Sequence, residues 1–213
     1  LFIPKSFQQT DLNLLKDFVS QHPQATVIAH HVMEEDGAAM EASHIPMVWI
    51  SEADNSYLLG HIAKVNPLSE TKFLTLPWLI IFQNSGHYIS PNWYPSKANT
   101  HKEVPTWNYQ SVHITGRATL LADSNSLINI IFLLTTKFEA MQPMPWSLKD
   151  APEKYIQGLC RAIVGIRIDI SDVKAQFKLS QNKSKENKEG VILGLREIGS
   201  PEANEMANLI NAQ

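Results

Sequence analysis

Apolar residues at Leu12, Leu15, Phe18 and Val19 recur at helical spacing. They predict a short amphipathic helix capped at Thr10 and stopped at His22-Pro23, since the residue before proline resists helical dihedrals. From Ala25 the texture becomes β-rich: ATVIAHHV and MEASHIPMVWI read as two runs joined by a hairpin at Glu35-Asp36-Gly37. The polar cluster SEADNS then precedes a third strand, YLLGHI. Asn66 reads as a helix N-cap with Pro67 in the first helical position, which tolerates a missing N–H. WLIIFQ and HYIS give further strand, broken at Ser85-Gly86, and residues 91–105 are too proline-rich and polar for a regular element. VPTWNYQSVHITGRATLLA is one long strand, bent at Gly116.

Leu127, Ile130, Ile131, Leu134 and Phe138 line one face of a helix capped near Asp123 or Ser124 and ended by Pro143 and Pro145. A second helix follows at 152–161. In AIVGIRIDI the residues Ile166, Ile168 and Ile170 alternate with polar ones, and FKLSQN continues the sheet after a turn. KSKENKE (183–189) reads as a solvated charged loop; VILGL and the Ser200-Pro201-capped EANEMANLI form tail helices. Short strands with peripheral helices, without regular strand–helix alternation, predict a mainly β fold, a barrel surrounded by helices. The expected organisation is one domain over 1–180, with 181–213 a charged loop and helical tail packed on it.

Composition narrows the classes. The chain has 213 residues, 44% of them hydrophobic, and a net charge of −3, enough for a sizeable core and a poor basis for disorder or general polyanion binding. A single cysteine, Cys160, makes no internal disulfide and favours a reducing cytoplasm. Within a helical pattern it reads as a small buried apolar group. The longest apolar stretch, 73–82, contains Thr75 and Pro77 and falls short of the roughly 20 residues of a membrane helix. No secretory signal or transit peptide is visible, so a cytoplasmic location away from membranes is expected.

The sharpest local constellation is GHIAKVNP (60–67), where a strand delivers His61 and Lys64 to a helix start. Unsatisfied N–H groups and positive charge there suit a phosphate; the plainer reading is a capped helix beside an exposed lysine. A second dense segment holds Tyr88, Trp93, Tyr94, Trp107 and Tyr109 among Asn, Ser and His. Aromatic faces with a few polar groups suit a flat heteroaromatic ligand, and equally a loop packed by its own rings. The eight histidines lack metal-ligand spacing, and no hydrolase elbow, P-loop or dinucleotide fingerprint occurs, so no metal or catalytic residue is assigned. Between Arg161 and Lys188, seven Lys and Arg face three Asp and Glu, an excess that could meet DNA phosphates or form a solvated edge.

Taken in order, IPKSF, ASHIP at 42–46, GHIAKVNP, HYISPNWYPSK, VPTWNY and FKLSQN resemble the PaiB family, over residues 3 to about 182. The resemblance implies a six-stranded FMN-binding split barrel, a homodimer with FMN at the subunit interface, and negative transcriptional regulation. It places the flavin phosphate at His61, Ile62, Ala63, Lys64, Asn66 and Pro67. Ser43, His44, Ile45 and Pro46 then lie beside the ring or ribityl chain, and Trp107, Asn108 and Tyr109 complete the pocket, from either subunit. One departure is Asn84-Ser85-Gly86, where relatives are expected to carry Gly-Pro. Two other readings suit the same barrel: a flavin-dependent oxidoreductase with His44 or His87 relaying protons, and a haem-binding or haem-degrading protein.

Overall fold

A computed structural model of the chain describes residues 1–32, 38–52 and 55–213. The expected turn at Glu35-Asp36-Gly37 lies outside the described residues. The strands are β1 (Gln8–Gln9), β2 (Gln24–Val32), β3 (Ala38–Pro46), β4 (Val48–Glu52), β5 (Asn55–Ala63), β6 (Trp78–Gln83), β7 (His87–Ile89), β8 (Thr106–Leu121) and β9 (Ile163–Lys178). The helices are α1 (Leu12–Gln21), α2 (Lys97–Thr100), α3 (Ser124–Glu139), α4 (Glu153–Cys160), α5 (Lys185–Ile198) and α6 (Pro201–Asn211). These residues group into a sheet unit, 16–82 with 113–173, and a tail unit, 1–15 with 83–112 and 174–213. The long strands β8 and β9 run through both.

The first helix buries Leu15, Phe18 and Val19 as its spacing requires. Its cap is Asp11 rather than Thr10, because the Asp11 carboxylate accepts from the Asn13 and Leu14 N–H groups at 2.9 and 3.4 Å. MEASHIPMVWI is two strands rather than one. Pro46 brings no N–H to the ladder, and the Met47 N–H donates at 2.9 Å to the Pro23 carbonyl instead.

In the sheet unit the strands run in the order β3-β2-β6-β8-β9-β5-β4, and the described pairs β2–β3, β2–β6, β4–β5 and β5–β9 are antiparallel. Among the described residues the path has two unpaired ends, so the sheet is open. In the tail unit β1 pairs with β9 and β7 with β8, so the described residues hold nine strands rather than the six of the family expectation, the extra pieces being short. Gly60 lets β3 lie close against β5: a Cβ there would stand 3.1 Å from the Pro46 oxygen and 3.3 Å from side-chain carbons of Ile45 and Met47. The interior face carries Ala25, Val27, Trp78, Ile80, Phe82, Ile166 and Ile168, all fully buried.

The opposite face of β4 and β5 is covered by α3, whose Ile130 and Leu134 pack on Val48, Tyr57 and Leu59. Asp123 caps α3 by accepting from the Ser126 N–H at 2.9 Å. β9 runs unbroken for 16 residues, with no turn before FKLSQN. Ser171, near its middle, donates through its hydroxyl to the Thr115 carbonyl at 3.0 Å.

In the tail unit KSKENKE is mostly helix rather than loop. The Ser184 hydroxyl caps α5 by accepting from the Asn187 N–H at 3.3 Å, and the charged side chains occupy its outer turn. Gly190 and Gly194 make a smooth stripe against Trp93. A Cβ at Gly194 would lie 2.4 Å from its ring, and one at Gly190 2.1 Å from its carbonyl oxygen. Ser200 and Pro201 open α6 as the sequence predicts, and Ala203, Met206, Ala207 and Ile210 are buried beneath it.

Candidate functional site

The 60–67 block ends β5. Asn66 accepts from the Leu68 N–H at 3.0 Å and Pro67 follows, but the helix they open is a single 3₁₀ turn of three residues. Three peptide dipoles do not sum to a useful charge, so the anion-binding capacity rests on side chains instead. The Lys64 N–H donates to the Ala162 carbonyl at 2.9 Å, which brings Lys64 beside the end of α4. There Lys64 lines a cavity of about 110 Å³ with Ser124, Gln157, Cys160 and Arg161. At about 30 Å³ per water, this is the room of three or four waters, enough for a phosphate head.

His61 pairs across from Gly165 and stands on the α3 side of β5. Burial holds its imidazole below the ordinary histidine range, so the neutral form prevails, and its Nδ1 has no hydrogen-bond partner among the described residues. Ile62 points to the interior, Ala63 is exposed, and neither brings a side-chain donor.

Ser43 belongs with this block: Asn66 Nδ2 donates to Ser43 Oγ at 2.9 Å. The two residues are 23 apart in sequence. Strand alternation separates the rest of ASHIP. Ile45 is buried, whereas His44 and Pro46 are exposed, with His44 Nδ1 3.2 Å from the Thr26 hydroxyl.

The same alternation divides Trp107-Asn108-Tyr109. Trp107 is half-exposed and meets Tyr88 edge-on at 6.5 Å. Asn108 points the other way, is fully buried, and donates through Nδ2 to Ser180 Oγ at 2.8 Å. Ahead of this strand, Asn84 is buried, donating to Gln110 Oε1 at 3.2 Å and accepting from the Gln110 N–H at 2.9 Å. Gly86 has φ +64° and lies against Trp107, where a Cβ would be 2.5 Å from its indole nitrogen, so glycine is required.

The structure thus unites Ser43 with Asn66 and turns Lys64 toward a donor-lined cavity. It does not join His44 to that block, and along β8 it sets the Trp107/Tyr109 face apart from Asn108. The sequence reading did not place Arg161, Ser124 and Gln157 in the site, although it named Ser124 as a possible helix cap. Arg161 opens the basic excess that runs to Lys188, and that was its one visible signal. Among the described residues no three His, Cys, Asp or Glu converge as a metal site, and no helix is long and apolar enough to cross a membrane.

Residues 1–172 match a family model described as "Putative FMN-binding domain". The chain is 31% identical over 210 residues to the Bacillus subtilis "Protease synthase and sporulation protein PAI 2", covering 99% of this chain and 96% of that one. It is 30% identical over 171 residues to the Saccharomyces cerevisiae protein YKL070W, covering 73% of this chain and 100% of the relative. Two solved structures share the fold. One is the FAD and heme binding protein from Mycobacterium smegmatis (TM-score 0.52, 13% identity, 80% of this chain and 73% of that one). The other is the conserved hypothetical protein Rv2991 from Mycobacterium tuberculosis (TM-score 0.54, 9% identity, 85% and 92%). Motif order, an open antiparallel sheet with peripheral helices and full-length similarity agree: the chain belongs to the PaiB-type family of FMN-binding split-barrel domains.

Proposed function

We propose that the chain binds FMN as a homodimer, with the flavin phosphate at Lys64, and acts as a negative transcriptional regulator in the cytoplasm. The observation that carries FMN binding is the cavity at the end of β5. Lys64, Arg161, Ser124 and Gln157 are its polar lining residues. Two cations with neutral donors match a phosphate dianion, and the planar guanidinium can meet two of its oxygens at once. His61, neutral through burial, offers a hydrogen bond rather than charge. The Asn66–Ser43 bond holds the block against β3, so the charged end of the site is positioned before the ligand arrives.

FMN, when bound, supplies one- and two-electron redox chemistry; the chain's residues bind and orient it. Trp107 and Tyr109, on the outward face of β8, are the groups offered to the flavin ring, supplied by the second copy of the homodimer. The regulatory part of the proposal draws on the family resemblance and on the sporulation relative, with the Arg161–Lys188 basic run as the group that would meet DNA.

Titration of flavin fluorescence with the full chain tests the cofactor. Lys64→Ala and Arg161→Ala should each weaken FMN binding by about tenfold or more, the loss of one charge-assisted contact. A wild-type chain that leaves flavin fluorescence unchanged overturns the proposal. Rapid oxidation of NADH or NADPH by the FMN-loaded dimer would replace the regulatory role with an oxidoreductase one.

A further inference from the structure

The bend at residues 84–86, β7 and the first residues of β8 lie wholly within the tail unit and build an exposed aromatic surface. β7 and β8 pair antiparallel with Tyr88 directly opposite Trp107, so the two rings stand on one face, and Tyr109, two residues along β8, shares it. Tyr88 meets the indole edge-on, with centroids 6.5 Å apart and planes at 62°. Tyr88 is 45% exposed and Trp107 49%, so neither ring is used up in covering the core.

A side chain this exposed ordinarily changes rotamer freely. Here three contacts fix the indole. Its Nε1–H donates to the Ser85 carbonyl at 3.4 Å, Tyr88 closes one side, and Gly86 backs the ring nitrogen so closely that a Cβ would stand 2.5 Å from it and 2.9 Å from the Tyr109 Cβ. The left-handed φ of +64° suits glycine at that place. The bend is itself tied down by buried Asn84. Its N–H donates to the Gln110 carbonyl at 3.3 Å and its amide to Gln110 Oε1 at 3.2 Å, while its own Oδ1 accepts from the Gln110 N–H at 2.9 Å. Packing alone gives no reason to fix a tryptophan that buries only half its surface. Binding does, because a ring already held in place loses little freedom when a ligand stacks on it.

We propose that Tyr88 is a positioning residue for the flavin ring: with the 84–86 bend it holds Trp107 as a fixed platform on which the isoalloxazine stacks. Tyr88 acts through Trp107 rather than on the flavin. The inference rests on the FMN binding proposed above and adds what fixes the ring. An electron-rich indole stacked on an electron-poor flavin quenches flavin fluorescence, which gives the platform a signature of its own.

The test is to titrate the full chain with FMN and with riboflavin, which carries the same ring without the phosphate, recording affinity and the fluorescence of the bound flavin. The wild-type chain should quench both flavins strongly. Trp107→Leu should weaken both by about tenfold and leave the bound flavin bright. Tyr88→Leu should weaken both by about three- to tenfold and restore part of the fluorescence, because the indole is no longer held. Tyr88→Phe keeps the ring edge and should stay within about twofold of wild type. Lys64→Ala should weaken FMN and leave riboflavin unchanged, so a failure at the phosphate end reads differently from a failure at the ring. Bright flavin bound to the wild-type chain, wild-type affinity and quenching in Tyr88→Leu, or loss of binding in Tyr88→Phe together with a lowered melting temperature would each overturn the positioning role. Absence of binding by both flavins would overturn it together with the FMN proposal.

Discussion

Replacing Gly194 by alanine sets two opposing effects against each other within one helix. Alanine gains about 1 kcal/mol of helix propensity over glycine. Against this, the new Cβ would stand 2.4, 2.4 and 2.5 Å from three atoms of the Trp93 indole, a rigid ring that cannot yield as a flexible chain end would. Overpacking of this kind costs about 1–3 kcal/mol, and a displacement of about 1 Å lies at the upper end. The net loss is then about 2 kcal/mol. For a chain of this length each kcal/mol moves the melting temperature by about 2–4 °C, so a fall of about 4–8 °C is expected. Gly158 in α4 is the control: a Cβ there meets nothing nearer than an Arg161 nitrogen at 3.8 Å. Gly158→Ala should therefore raise stability by about 0.5–1 kcal/mol. Thermal melts followed by circular dichroism read both. In a Trp93→Ala background, where the ring is gone, Gly194→Ala should become neutral or stabilising. If Gly194→Ala stabilises the wild-type chain, the stripe of α5 does not receive Trp93 and the packing argument fails.

Three further outcomes follow from the electrostatics. Glu103 accepts from Lys183, from the Ser96 hydroxyl at 3.1 Å and from Asn187 at 3.3 Å, with the Lys183 bond the largest factor holding its pKa below the usual carboxylate range. Its folded pKa is depressed, so its contribution is present above the ordinary value near 4.3 and lost on acidification; Glu103→Gln should cost roughly 1–2 kcal/mol at neutral pH in denaturant melts and flatten the acid limb. His61 is held below the ordinary histidine value by burial, so the unfolded chain binds more protons as pH falls through about 6.5 and stability declines there. His61→Gln should reduce the fall in melting temperature between about pH 7 and 5, and an unaltered slope would contradict its burial. Asp123→Ala should lower the melting temperature by removing the acceptor of the Ser126 N–H, while Asp123→Asn should retain most of it.

Local pattern was enough to locate α3, α6, β5, β6 and the Asn66 and Ser200 caps, because helix period, strand period and capping are set within a few residues. It was also enough for the family, through the order of the motifs. Two misreadings had local causes. KSKENKE lacks any apolar residue to reveal the period of α5, although Ser184 three residues before Asn187 was a usable cap signal. Asn66-Pro67 looks the same before one 3₁₀ turn as before an α-helix, since the first turn of each needs the same cap.

Period-two alternation is itself sufficient to set Trp107 and Tyr109 apart from Asn108, because successive residues of a strand face opposite sides of the sheet. No such local rule brings Asn66 to Ser43, Lys64 to Arg161, or Asn108 to Ser180. These partners are 23, 97 and 72 residues apart. Which distant strand a residue meets is settled by register and by the packing of the whole sheet, where Gly60 and Gly165 admit neighbours that any side chain would exclude. Short-range periodicity is encoded in the residues themselves, whereas the chemistry of the cavity beside Lys64 depends on contacts that form only once the long strands are paired.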